Sequence, residues 1–451
     1  MKIKIVLPAF VFVIILSMPA CVKSTVIAPT SQPPFAATPA NQSDELVIDS
    51  TNSFVDPFGT YRVVGNVVNY SSEVVNSIQL TVEIKDASGN SLLLDDKGNT
   101  TENTIIYPIL YTLAPGEASP FAFSYETSYG TPASYKVTIA GQQTGNANRA
   151  ALQWEKVQIV DNGSGWYYLT GVLVNMGSQW AYVNSLAGAV LDDSNNVLST
   201  DWTSTYTTEL APKGDALGRD RTPFEVNFPN PGGSTQWELY WDADVIDNVT
   251  DYPMEVKVTN VYFDQYGSAH LIGWITNNSN QSIDSMVVGG LYSADGTVLD
   301  SSYAFVPVPI KPGLAAPFSI SSFGSVNYNP NQASLVTTSS AQFDSKFTTP
   351  TSSEFVDLTA TGETVQKDVA TWTFSGNFTN TSGRDLSYAT VVVMVMDDQN
   401  KLIAMEYASV SPTGEAIVPG DTNPYSVTVY LDTAADATGF ITTTVVVGDV
   451  K

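Results

Sequence analysis

Residues 371–379 alternate without a break. Trp372, Phe374, Gly376 and Phe378 occupy one set of positions, and Thr371, Thr373, Ser375, Asn377 and Thr379 the other. A period of two predicts a strand with one face on a core and one in water. Short alternating runs rich in Val, Thr, Tyr and Phe fill residues 47–450, and beyond the N-terminal twenty residues no window sustains a helical period. The same parity assigns Tyr61, Val63 and Val67, then Tyr167, Leu169 and Leu173, then Leu271 and Ile275 to cores. It turns Arg62, Trp166, Tyr168, His270 and Trp274 outward, a heavy aromatic load for a solvent face.

The strands recur in a fixed frame. Gly-x-apolar-x-Asn occurs as Gly65–Asn69, Gly171–Asn175, Gly273–Asn277 and Gly376–Asn380, nearly evenly spaced. Some way after each comes a strand-like run that meets a polar turn: Val82–Gly89, Ala189–Asn195, Gly290–Gly296 and Val395–Asn400. Asp, Asn and Gly there predict tight hairpins. Then follows Pro-Gly and a Pro-aromatic pair: Pro115-Gly116 with Pro120-Phe121, Pro312-Gly313 with Pro317-Phe318, and Pro419-Gly420 with Pro424-Tyr425. The second copy departs, with Pro212-Lys213-Gly214 and an insertion before Pro223-Phe224. Three patterns in one order, four times, predict an all-β chain of four tandem sandwiches at 47–145, 150–248, 253–345 and 352–450. Polar stretches Thr144–Ala150, Asp247–Pro253 and Thr348–Ser353 read as short linkers.

This set of motifs resembles the FxLYD-type domain, with Ile84-Lys85-Asp86 and Leu291-Tyr292-Ser293 as the best matches; copies two and four carry Asp-Asp there. The resemblance implies immunoglobulin-like sandwiches in exported prokaryotic proteins, often in tandem, with no established activity.

The N-terminus reads differently. Lys2 and Lys4 precede an apolar run, Ile5–Met18, too short to span a bilayer and ending in small residues before Cys21. Residues 1–20 read as a secretory signal. Leu16-Ser17-Met18-Pro19-Ala20-Cys21 resembles a lipobox, which implies a lipid on Cys21 and extracytoplasmic anchoring to the cell membrane. Ordinary cleavage near Ala20, or an uncleaved anchor, is the alternative. Residues 21–46, with Pro29, Pro33, Pro34 and Pro39 among Ser, Thr and Ala, read as a disordered tether.

Composition narrows the chemistry. The chain has 451 residues, a formal charge of −26, one Cys and one His. Disulfide scaffolds and Cys/His metal sites are excluded, and so acidic a chain has no basic surface for nucleic acid. Asp95-Asp96, Asp192-Asp193, Asp397-Asp398 and the Asp242/Asp244 pair are oxygen donors of the type calcium takes, but none has the spacing of a calcium loop, and solvated turns are the preferred reading. His270 has no second His or nucleophile in its motif and reads as an exposed ring stacked on a neighbour. The reading is therefore a non-enzymatic binding or spacer module of the cell envelope, without cofactor or metal, tethered by its lipid. The alternative is an adhesin for a polysaccharide or an envelope protein, using Trp166, Tyr168 and Trp274, whose exposed rings would stack on sugar or protein.

Overall fold

The computed structural model describes residues 45–161, 165–203, 205–232, 236–412, 414–432 and 440–451. The expected signal, the tether and Cys21 lie outside them. The chain is all-β, built of antiparallel sheets packed as sandwiches. Among the described residues the sheet pairings fall into four groups, each confined to one segment: 46–144, 149–246, 254–350 and 355–450.

Each segment has a three-stranded front sheet with the glycine strand at its centre. These central strands are Thr60–Asn69, Trp166–Asn175, Ala269–Asn277 and Thr371–Thr379. Each back sheet centres on the strand that enters the polar turn: Val75–Lys85, Trp180–Leu191, Met286–Tyr292 and Leu386–Met396. The expected core parity holds for Val63, Val67, Leu169, Leu173, Leu271, Ile275, Phe374 and Phe378, all fully buried, whereas Tyr61, also expected in the core, is half-buried at its edge.

The three recurring motifs meet at one place in every segment. Gly65, Gly171, Gly273 and Gly376 stand directly opposite Phe121, Phe224, Phe318 and Tyr425 on the neighbouring strand. A Cβ on the glycine would come 2.5 Å from the Phe121 ring, 2.8 Å from Phe224, 2.7 Å from Phe318 and 2.7 Å from the Tyr425 hydroxyl. The glycine is there because the ring lies across it. The motif asparagine, fully buried, then staples the strand end to two loops. Asn277 Nδ2 donates to the carbonyls of Gln281 (2.7 Å) and Ile310 (2.7 Å), and its Oδ1 accepts from the Ser279 amide (2.8 Å) and hydroxyl (2.6 Å). Asn69, Asn175 and Asn380 make the equivalent pairs, reaching Leu113, Leu210 and Ile417 just before the Pro turns.

Two features differ from the sequence reading. Thr349–Pro350, expected as linker, is a short strand paired with Ile283–Asp284, and Thr348 is buried. Segment 3 also carries two helical turns, Gly324–Tyr328 and Pro330–Ala333, too short for periodicity to reveal.

Candidate functional site

The segments stack front to back. The outward face of the first glycine strand packs on the outward face of the second back sheet, so that Val64 shares one cluster with Ala187, Ala189, Leu191 and Tyr240. Val172 and Val174 of segment 2 meet Val298 and Tyr292 of segment 3. Ile272 and Tyr262 of segment 3 join the core of segment 4, beside Val392, Met394 and their neighbours. The linkers are fastened too. Arg149 binds Asp242 and Glu117, and donates to the Thr112 carbonyl. Arg219 holds Asp215 (2.9 Å) and Asp251 (3.0 Å between Nη2 and Oδ2).

This stacking corrects the expected aromatic binding face. Tyr168 is buried, and Gly324 of segment 3 sits against its ring. Trp166 is half-buried, with Phe58 of segment 1 at 5.5 Å between ring centroids. Trp274 lies in a different joint, against the core of segment 4. The parity was right, but the outward direction leads into the next segment rather than into water. His270 is likewise 3% exposed, not on the surface. It does stack on Tyr262 (4.8 Å, 4° between planes), and its Nε2 lies 3.2 Å from Asp264 Oδ2. Burial lowers its pKa and outweighs the Asp264 contact, so the ring is neutral at neutral pH.

Among the described residues two surfaces stand out for a ligand. The first is an aromatic strip over the seam of segments 2 and 3. Tyr303 (42% exposed), Phe305 (54%) and Phe347 (42%) are in continuous ring contact, and Tyr206 of segment 2 stacks on Tyr303 at 5.1 Å. Lys346 lies over the Tyr182 ring at 4.5 Å beside them. Tyr303 and Phe305 alternate on one strand, a signal the sequence offered in Ser302–Phe305, but their partners arrive from two other loops. The rings cross edge to face, at 87° and 86°. They form a rugged apolar patch, not the coplanar platform on which a sugar ring lies flat.

The second is a cleft of about 500 Å³ between segments 3 and 4. Trp274, Leu314, Pro317, Phe355 and Met394 wall it, and the Lys311–Asp357 pair (2.6 Å) sits at its rim. That volume is in the range of small-molecule sites.

The acidic turns are satisfied by their own backbones. Asp86 Oδ1 accepts from the Ser88 and Asn90 amides (2.8 and 2.9 Å), and Asp95, Asp192 and Asp397 repeat the pattern. These bonds, with the Asn side chains, lower the pKa of Asp86, Asp95 and Asp192.

No family model and no curated protein matches the chain. Among solved structures, red sea bream transglutaminase is 10% identical with a TM-score of 0.15, over 41% of this chain and 28% of that one. The native conformation of E. coli alpha-2-macroglobulin is 9% identical with a TM-score of 0.13, over 88% and 28%. Salmonella alpha-2-macroglobulin reacted with methylamine is 10% identical with a TM-score of 0.11, over 86% and 28%. The chain spans under a third of each, and likenesses this slight bear on neither family nor activity.

Proposed function

We propose that this is a non-enzymatic lipoprotein, anchored outside the cytoplasm through Cys21, that serves as a binding and spacer module of the cell envelope. Its segments would be immunoglobulin-like domains of the FxLYD type. The stacked sheets and arginine-fastened linkers favour a stiff spacer over loosely strung beads. The observation that carries the binding role is the exposed strip of Tyr303, Phe305 and Phe347, backed by the half-buried Tyr206. Clustered, crossed Tyr and Phe rings have the composition of a protein-interface core, which favours an envelope protein over a polysaccharide.

The test has two arms. Cys21→Ser should move the protein from the membrane to the soluble fraction. A Tyr303→Ser/Phe305→Ser variant should bind isolated envelope proteins roughly tenfold more weakly, while neither it nor the parent is retained by insoluble cell-wall polysaccharide. Retention on polysaccharide that is lost in the variant would replace the protein partner by a glycan. Equal binding by variant and parent would remove the strip from the account.

A second reading follows from the cleft. Its apolar walls and volume suit a small apolar ligand, and Trp274→Ala should abolish binding of a hydrophobic dye there.

A further inference from the structure

Two acids are buried face to face in the joint between segments 2 and 3. Glu225 lies on the front sheet of segment 2, opposite Thr170, and Asp300 lies on strand Val298–Phe305 of segment 3. Asp300 is fully buried, and Glu225 is 8% exposed. The two carboxyls converge on one helical turn: Glu225 Oε1 lies 3.0 Å from where a Cβ on Gly324 would stand, and Asp300 Oδ2 accepts from the Val326 amide (2.7 Å). Two acids buried together with no cation paired to either cannot both stay ionised, so one holds a proton.

The surroundings decide which ion could sit there. The Val326 amide on Asp300 Oδ2 marks Asp300 as the anionic partner. Among the described residues Glu225 Oε2 and Asp300 Oδ1 are buried with no hydrogen-bond partner. Among the described residues no Lys, Arg or His forms an ion pair with either acid. The groups that do face them are phenols or further acids. Tyr206 comes from the loop of segment 2, and its own ionisation is suppressed by burial and then by the charge of both acids and Tyr303. Tyr168 comes from the glycine strand, against Gly324. The helical turn Gly324–Val326 contributes backbone donors. At the rim lie Glu209, Asp344 and Lys346, with the Thr208 amide crossing the joint to Asp344 Oδ2 (2.9 Å). Arg221 is engaged elsewhere, with Glu155 at 3.4 Å and Asp220 at 3.5 Å.

We propose that Glu225 and Asp300 share one proton, that this proton keeps the joint between segments 2 and 3 closed, and that the joint loosens when the proton leaves.

The direction of the effect follows from linkage. Burial raises both acids above the ordinary carboxylate range, and for Glu225 the charge of Asp300 adds to it. The closed joint therefore binds a proton that the separated faces release. Its stability is complete below the ordinary carboxylate range of about 4 and falls as pH rises through the raised value. Between about 4 and that raised value one proton is lost per opening, so the closed-to-open ratio falls about tenfold per pH unit there and levels off above it.

The Thr208 amide reports the opening, because its acceptor is on the far side of the joint. Hydrogen exchange on the full chain, expressed as protection factors, should show Thr208 losing about tenfold per pH unit between about 4 and the raised value, and levelling off above it. Glu225→Gln keeps the donor without the titration, and its Thr208 protection should stay flat. Infrared difference spectra at neutral pH should show protonated-carboxyl intensity in the parent that Glu225→Gln loses, beyond the part that Glu406 supplies to both. If Asp344 were the titrating group, Glu225→Gln would follow the parent, and that result would overturn the proposal. So would the absence of that difference in carboxyl intensity at neutral pH. Should Glu225→Gln fail to fold, Asp344→Asn takes its place: a Thr208 slope that persists there supports the proposal, and one that vanishes overturns it.

Discussion

The motif residues earn their repetition through contacts that no other residue type can make. Asn277 fills all four of its hydrogen-bonding positions inside the sandwich. Asn277→Ala should leave two carbonyls and one amide without it, at a cost of about 2–4 kcal/mol in urea unfolding of the full chain. Gly273→Ala should cost about 1–3 kcal/mol, because the added methyl meets the Phe318 ring and the Lys257 carbonyl. Phe318→Leu in the same chain should recover part of that loss, whereas a conformational origin would leave it unchanged. These residues were legible as a pattern before their purpose was. The spacing marked Gly, Asn and Pro-aromatic as one unit, but that ring, glycine and staple converge on a single point is a fact of strand register.

Strands explain where the sequence reading stopped. Alternation tells which residues leave the core, not what they meet. On Trp166–Asn175 and Ala269–Asn277 the outward side chains meet the next sandwich, so Tyr168 and His270 are buried. On Thr371–Thr379 the same parity gives hydroxyls and an amide that are at least partly exposed. The buried histidine sets a lower pH limit on the joint between segments 3 and 4. Its pKa is depressed by burial, so the stability it contributes is present above the ordinary histidine range near 6.5 and is lost as pH falls through the lowered value. Glu406, on the strand of segment 4 that faces it, is pushed by burial to about 7 and weakens the fold as pH rises through that value. His270→Phe, which keeps the stack on Tyr262, should therefore flatten the acid limb of the melting temperature against pH and leave the alkaline limb in place. An unchanged acid limb would mean that another group carries it. At the linker between segments 1 and 2, Arg149→Met should leave the buried Asp242 unpaired and cost about 3 kcal/mol; a loss below ~1 kcal/mol would show that solvent already screens the pair.

Across the whole molecule, the front-to-back order sets segment 4 apart. Among the described residues no other segment packs on its front sheet, whose outer surface is a ladder of hydroxyls, with Thr373 paired to Thr428 (3.0 Å), Ser375 to Ser426 (3.3 Å) and Thr379 to Thr422 (2.8 Å). A unit with no neighbour stacked on it needs such a polar outer face to stay soluble. Thr371→Val/Thr373→Ile/Ser375→Val should convert it to a surface like those of segments 1 to 3 and produce concentration-dependent, head-to-tail association in sedimentation velocity. Monomeric behaviour of that variant would show that the terminal face lacks the shape to dock, whatever its polarity.

That hydroxyl ladder also constrains how such a chain can change length over evolutionary time. A second copy of segment 4 stacked on the first would press one copy's threonines against the other's back sheet and strand them away from water. Duplication is therefore disfavoured at segment 4 by the same face that keeps it solvated.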